Sequence, residues 1–357
     1  MADYHNKVIV LMNVYDSRKT MLKRRSEQQS ANSYQPKQEQ EQCTGIFILL
    51  RRHTWIIAGS FILLIVSIFS PAVLAQDDSG IDLTPPTLGD FDAAEVSEID
   101  LESYPILPEI SDHARTIWAA GQAAGRNPQT FTKAGDSMSF SRYFLVPFGS
   151  EGYDMGEYSD LQGVVDHFSA VTFRDSEYNS FNNLSLATGE GFSTATVLDP
   201  FWADPSLCEA NESPLACEFR LSNPSIALIM FGTNDVLFLE AEAFDFYLRT
   251  VIWQTIEAHI LPVMSTIPPR PEEPEKSLLF NQIIVQIAQD YDLPLVNLWL
   301  AVKPLEDFGV DPAETNHLTK PADGNSGILD EAHLTAGYTV RNLVTLQMLD
   351  RMLKAVE

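Results

Sequence analysis

Residues 130–355 predict an α/β fold, with a mostly parallel five-stranded sheet covered by helices on both faces. Three observations carry this reading. Five short apolar runs, at 130–134, 184–187, 225–231, 259–265 and 293–298, alternate with helical patterns at 161–169, 239–257, 275–290 and 335–354, and such alternation builds βαβ units. The run Ser225-Ile-Ala-Leu-Ile-Met-Phe231 is almost continuously apolar, as expected of a central strand buried on both sides. Ahead of the first strand, 111–126 is helix-forming, with Ser111 as N-cap and Asn127-Pro128 as its stop. In a sheet of this kind functional groups gather in loops at the C-terminal ends of the strands.

The charge is divided unevenly. The 357-residue chain carries a formal net charge of −26, yet residues 1–75 hold nine of its 23 Lys and Arg and only five of its 49 acids. The rest is therefore strongly acidic, without a basic stripe interleaved with aromatics, which argues against a nucleic-acid partner. Four regions follow: a polar, basic leader at 1–53, an apolar segment at 54–75, an acidic linker at 76–107 and a folded domain at 108–357.

Segment 54–75 lacks charged side chains, with Arg51-Arg52 before it and Asp77-Asp78 after it. That length suffices to cross a bilayer, and the flanking charges orient its N-terminus to the cytoplasm and the rest outside. Two readings stand. The small residues ending at Ala75 fit a cleaved signal peptide, whereas the long polar leader and the length of the apolar run fit a retained single-pass anchor. Either way the body is expected to be extracytoplasmic, and membrane contact through 54–75 would persist only without cleavage. Linker 76–107, rich in acids and proline and free of Lys and Arg, reads as solvated and extended. Cys208 and Cys217 bracket a short polar segment, and an oxidising compartment would pair them in a disulfide.

Three loops carry chemistry. The strand at 130–134 runs into Gly135-Asp136-Ser137; a glycine there permits a sharp turn, and the serine is presented at the sheet edge with its N–H exposed. The strand at 225–231 runs into Gly232-Thr233-Asn234-Asp235, where the Asn234 amide can donate to an oxyanion. Before the last helix lies Asp330-Glu331-Ala332-His333, and a carboxylate three residues before a histidine can reach Nδ1 and turn Nε2 toward a nucleophile.

In this order the loops closely resemble the motif blocks of the SGNH or GDSL-type hydrolase family: Gly-Asp-Ser at 135–137, a glycine at Gly191, Gly-x-Asn-Asp at 232–235 and Asp-x-x-His at 330–333. Met138 stands where the family usually has Leu, and Gly189, two residues from Gly191, competes for the second block. Gly191 is preferred because 191–198 looks like the family segment that opens the next helix. The resemblance implies a flavodoxin-like three-layer α/β/α fold and ester hydrolysis without metal or organic cofactor. It assigns Ser137 as nucleophile, His333 as base and Asp330 as its orienting carboxylate. The oxyanion hole would come from Ser137, Gly191 and Asn234. His113, His167, His259 and His317 lack an Asp three residues upstream in a matching block and read as structural or surface groups; Asp323-Gly-Asn325 reads as a solvated turn.

The expected function is an exported serine esterase acting on small acyl or O-acetyl esters of carbohydrate or lipid. An envelope O-acyltransferase using the same acyl-enzyme and a non-catalytic binding module on a membrane stalk are the alternatives. The acidic body favours a neutral ester. Phe144, Phe148, Tyr153, Tyr158, Phe168, Phe173 and Tyr178 either line a substrate cleft or pack the domain.

Overall fold

The structure is a computed structural model and describes residues 84–87, 91–173 and 176–356. The leader 1–53 and segment 54–75 lie outside the described residues, among which no helix is long and apolar enough to cross a membrane.

Helices α1 (Ala93–Ser97) and α2 (Asp112–Ala123) precede β1 (Asn127–Gly135), which is followed by α3 (Ser137–Phe140), α4 (Gln162–Ser169), α5 (Thr194–Leu198) and α6 (Pro214–Ser222). Next come β2 (Pro224–Met230), α7 (Asp235–Phe238), α8 (Ala241–Glu257), β3 (Leu261–Ser265), α9 (Pro274–Asp290), β4 (Leu295–Val296) and α10 (Leu298–Val302). A ribbon of β5 (Val310–Asp311) and β6 (Glu314–Leu318) leads to α11 (Gly337–Val356).

The strands β1-β2-β3-β4 form a wholly parallel sheet in that order. Every residue of β2 is buried, as a central strand requires. Helices α2, α4, α10 and α11 pack among themselves, as do α5, α6, α8 and α9, giving the sheet its two helical layers.

The sheet has four strands rather than the five expected. Segment 184–187 runs outside β1 and leads into a single parallel bridge, Gly135 with Thr188. Its amides are taken up elsewhere: the Leu186 N–H donates to Glu218 Oε2 at 2.7 Å, the Ala187 N–H to Ser185 Oγ at 3.1 Å and the Thr188 N–H to the Ser185 carbonyl at 3.3 Å. With side chains and a tight turn satisfying the backbone, no ladder propagates. Counted as a strand, this segment gives the spatial order 2-1-3-4-5 of a flavodoxin-like sheet.

Residues 91–107 correct the expectation of a solvated linker. Val96 and Leu101 are buried. The Gln282 amide donates to the carbonyls of Ser97 and Ile99, and the Asn297 amide to those of Leu101 and Tyr104. The apolar residues scattered among the acids, together with these two buried amides, hold the segment against α9 and α10 as a strap.

The aromatics of 143–183 divide as well. Phe144, Phe148, Phe168 and Phe173 are buried, and Phe131 of β1 meets Phe168 and Phe181 edge-to-face at 5.2 and 5.1 Å. These phenylalanines pack the domain rather than line a cleft.

Candidate active site

Ser137 follows β1 directly and opens α3. Asp136 caps that helix, its Oδ1 accepting from the Met138 N–H at 2.9 Å. Glycine is required at 135, because a Cβ there would lie 2.6 Å from the Met230 carbonyl of the neighbouring strand. From α11, the buried Arg341 donates to the Met138 carbonyl and to Ser139 Oγ, both at 2.9 Å, fixing the turn from behind. Burial pushes the Arg341 guanidinium down to about 10, with Tyr338 and Asp136 opposing the shift.

The histidine beside this serine is His317, on β6. Its Nε2 lies 2.9 Å from Ser137 Oγ, and its Nδ1 lies 2.9 Å from Glu314 Oε2. Glu314 stands three residues before His317, opposite faces in a regular strand, but the β5–β6 register shifts between the Asp311–Glu314 and Val310–Leu318 pairs, and the pair meets there to supply the carboxylate, imidazole and hydroxyl alignment that the sequence reading assigned to 330–333. The buried Leu318 and the half-buried Thr319 anchor the strand: the Thr319 N–H donates to the Gly309 carbonyl at 2.7 Å, and the Gly337 N–H donates to Thr319 Oγ1 at 2.9 Å.

The assignment of His333 and Asp330 to the catalytic group is therefore corrected. His333 Nδ1 lies 2.6 Å from Asp330 Oδ1, and its Nε2 lies 3.2 Å from Asp323 Oδ2. Both ring nitrogens face carboxylates, so no lone pair is directed at Ser137. Asp330 first and Asp323 second hold the His333 imidazole above its usual range, and both carboxyls are held below theirs, chiefly by backbone N–H donors and then by His333. The Asp323-Gly-Asn325 turn does form, with the Asn325 N–H donating to Asp323 Oδ1 at 2.9 Å; His333 ties it to the start of α11.

This cluster has a defined pH signature. A histidine raised above its unfolded value of about 6.5 stabilises fully below that value and loses the contribution as pH rises through the folded pKa. The two lowered carboxyls stabilise above the ordinary aspartate value and lose it as pH falls. Thermal melts should thus show His333→Ala lowering Tm more at pH 6 than at pH 9; an equal loss at both would remove the ion cluster from the account.

The oxyanion candidates converge on the same end of the sheet. Asn234 Nδ2 donates to the Phe192 carbonyl at 2.8 Å, which leaves its second amide hydrogen for a ligand. Gly191 sits at φ +74°, a left-handed conformation that favours glycine. The Gly189 N–H donates to the Gly135 carbonyl at 3.3 Å, whereas no partner among the described residues takes the Gly191 N–H. That distinction favours Gly191 over Gly189.

Asp235 braces the arrangement. Its Oδ1 accepts from the Thr194 N–H and hydroxyl and its Oδ2 from the Gly232 N–H, joining the starts of α5 and α7. Burial pushes its carboxyl up to about 6, with the Thr194 donors pulling it back. Cys208 and Cys217 are disulfide-bonded. The sequence reading gives Glu314 and Arg341 no role and Asp235 only its place in a motif block, and its reading of His317 as a structural or surface group is corrected by the 2.9 Å contact with Ser137.

A cavity of about 620 Å³ lies behind the ribbon, lined in part by Asp307, Lys320, Asp323 and His333. Ser137 does not line it, so the cavity belongs to the His333 cluster.

Neither a protein-family model nor a curated protein sequence matches the chain. Among solved structures it is similar to a psychrotrophic esterase from Pseudoalteromonas sp., at 16% identity over 64% of this chain and 98% of that one, with a TM-score of 0.38. A lipase/acylhydrolase from Enterococcus faecalis matches at 16% identity over 62% and 96%, TM-score 0.37. An acetylxylan esterase from Geobacillus stearothermophilus matches at 15% over 63% and 94%, TM-score 0.37. In the order of Gly135-Asp136-Ser137, Gly191 and Gly232-Thr233-Asn234-Asp235 along the sequence, the chain resembles SGNH/GDSL-type hydrolases.

Proposed function

We propose that this protein is a serine esterase of the SGNH/GDSL type acting on neutral carboxylic esters, with small acyl or O-acetyl esters of carbohydrate or lipid as the substrate class. The Glu314–His317–Ser137 alignment, at 2.9 Å for each contact, carries the reading.

The chemistry follows from the geometry. With Nδ1–H donating to Glu314, the lone pair of His317 Nε2 faces the Ser137 hydroxyl. Ser137 Oγ attacks the ester carbonyl as His317 takes its proton, and Glu314 stabilises the imidazolium. The oxyanion is received by the N–H groups of Ser137 and Gly191 and by the Asn234 amide. Collapse breaks the ester C–O bond, the leaving alkoxide takes the proton from His317, and an acyl-Ser137 remains. Water, deprotonated by His317, then releases the acid and restores the serine.

Export is part of the proposal, supported by the charge change across 54–75 and by the disulfide in the body. The acidic surface supports a neutral ester over an anionic or nucleic-acid ligand. Wild-type protein should hydrolyse p-nitrophenyl acetate, and Ser137→Ala should fold normally without doing so; equal turnover by that variant would reject the assignment.

A further inference from the structure

The hairpin that carries the base is held weakly by its own backbone. β5 has two residues, and only two positions pair with β6, Val310 with Leu318 and Asp311 with Glu314, across an irregularity in register. Within β6 only Leu318 is buried, and the Glu314 side chain is 59% exposed. A two-stranded ribbon of this kind is marginally stable alone, yet its tip must keep Glu314 and His317 aligned on Ser137.

Besides the His317–Ser137 contact itself, a chain of side chains connects that tip to the body of the domain. Thr315, between Glu314 and His317, donates its hydroxyl to Glu272 Oε1. The other oxygen of Glu272, Oε2, lies 3.1 Å from Arg270 Nε. Arg270 is 8% exposed and belongs to the loop between β3 and α9, where its N–H donates to Ser277 Oγ at 3.1 Å. The path therefore runs from a buried arginine on the sheet side, through a carboxylate, to the residue next to the orienting glutamate. Glu272 is held below the ordinary carboxylate range, by the Thr315 hydroxyl first and the charge of Arg270 as a lesser cause, consistent with a carboxylate that stays ionised, hydrogen-bonded to Thr315 and ion-paired with Arg270.

We propose that Glu272, seated by Arg270 and bonded to Thr315, is a positioning residue that fixes the β5–β6 tip and so keeps His317 in register with Ser137. This rests on the esterase reading above. Glu272 touches none of the reacting groups; it acts through the backbone of 314–317. A charge-assisted hydrogen bond is the stronger kind, and the one that the Thr315 hydroxyl donates to the exposed Glu272 carboxylate serves the geometry of the ribbon more than global stability.

The test combines p-nitrophenyl acetate kinetics with the rate at which a fluorophosphonate labels Ser137 in the full chain. Glu272→Ala and Thr315→Val are each expected to lower kcat and the labelling rate by about 10-fold to 100-fold, the scale of a displacement of about 1 Å originating away from the chemistry. KM should stay near wild type in both, and so should the Tm of Thr315→Val; Glu272→Ala also leaves the buried Arg270 without its carboxylate and should lower Tm. Thr315→Ser, which keeps the hydroxyl, should retain wild-type kcat. The double variant should fall no further than the worse single one, because both break the same contact. Wild-type kcat in either single variant, losses that multiply in the double variant, or a fall in the Tm of Thr315→Val matching its loss of kcat would overturn the positioning role while the esterase reading stood. A wild-type protein that neither hydrolysed the ester nor labelled at Ser137 would overturn both.

Discussion

His317→Ala should lower kcat for ester hydrolysis by about 10⁴-fold to 10⁶-fold, the range seen when the base of a serine triad is removed. In the same assay at neutral pH, His333→Ala should remain within a few-fold of wild type. The difference follows from ring contacts alone. His317 presents one nitrogen to Glu314 and the other to Ser137, so losing it strands the serine proton. His333 presents both nitrogens to carboxylates, so losing it unties a turn. Glu314→Gln should fall between the two, since the amide preserves the shape of the contact while losing the charge that stabilises the imidazolium.

The second large effect is expected at Asn234. Replacing it with alanine removes the side-chain amide offered to the oxyanion, and the barrier should rise by about 2.7–4 kcal/mol, or 10²-fold to 10³-fold in kcat. KM should change little, because the donor serves charge that develops only in the transition state. The same substitution also removes the 2.8 Å hydrogen bond to the Phe192 carbonyl, which fixes the loop bearing Gly191. Measuring kcat beside Tm separates the two consequences: a loss in kcat with little change in Tm assigns the effect to the oxyanion, whereas a fall in both assigns it to the loop.

Particular residues show why some of this was legible in the sequence and some was not. The apolar continuity of β2 and the helical patterns of α2, α8, α9 and α11 are local signals, and the observed bounds lie within three residues of those expected. Ser137 and Asn234 are equally local: each lies in the turn that leaves a buried strand, two residues after a glycine. The base is different, because the chain offers two similar phrases. Glu314-Thr-Asn-His317-Leu-Thr and Asp330-Glu-Ala-His333-Leu-Thr both place a carboxylate three residues before a histidine, and an insistence on aspartate selected the second. Allowing glutamate, only one methylene longer, would have kept both in view. Only the tertiary structure decides between them, by bringing β6 against α3. The missing fifth strand and the docked 91–107 segment have the same origin: Glu218, Gln282 and Asn297 capture backbone groups far away in sequence, and no local pattern announces such partners.

The central claim is that His317, and not His333, activates Ser137. Its most direct measurement is the rate at which a fluorophosphonate phosphonylates Ser137, followed by mass spectrometry on intact protein, in wild type, His317→Ala and His333→Ala. The account predicts rapid labelling in wild type and His333→Ala and labelling slowed by orders of magnitude in His317→Ala. Rapid labelling in His317→Ala together with its loss in His333→Ala would contradict it.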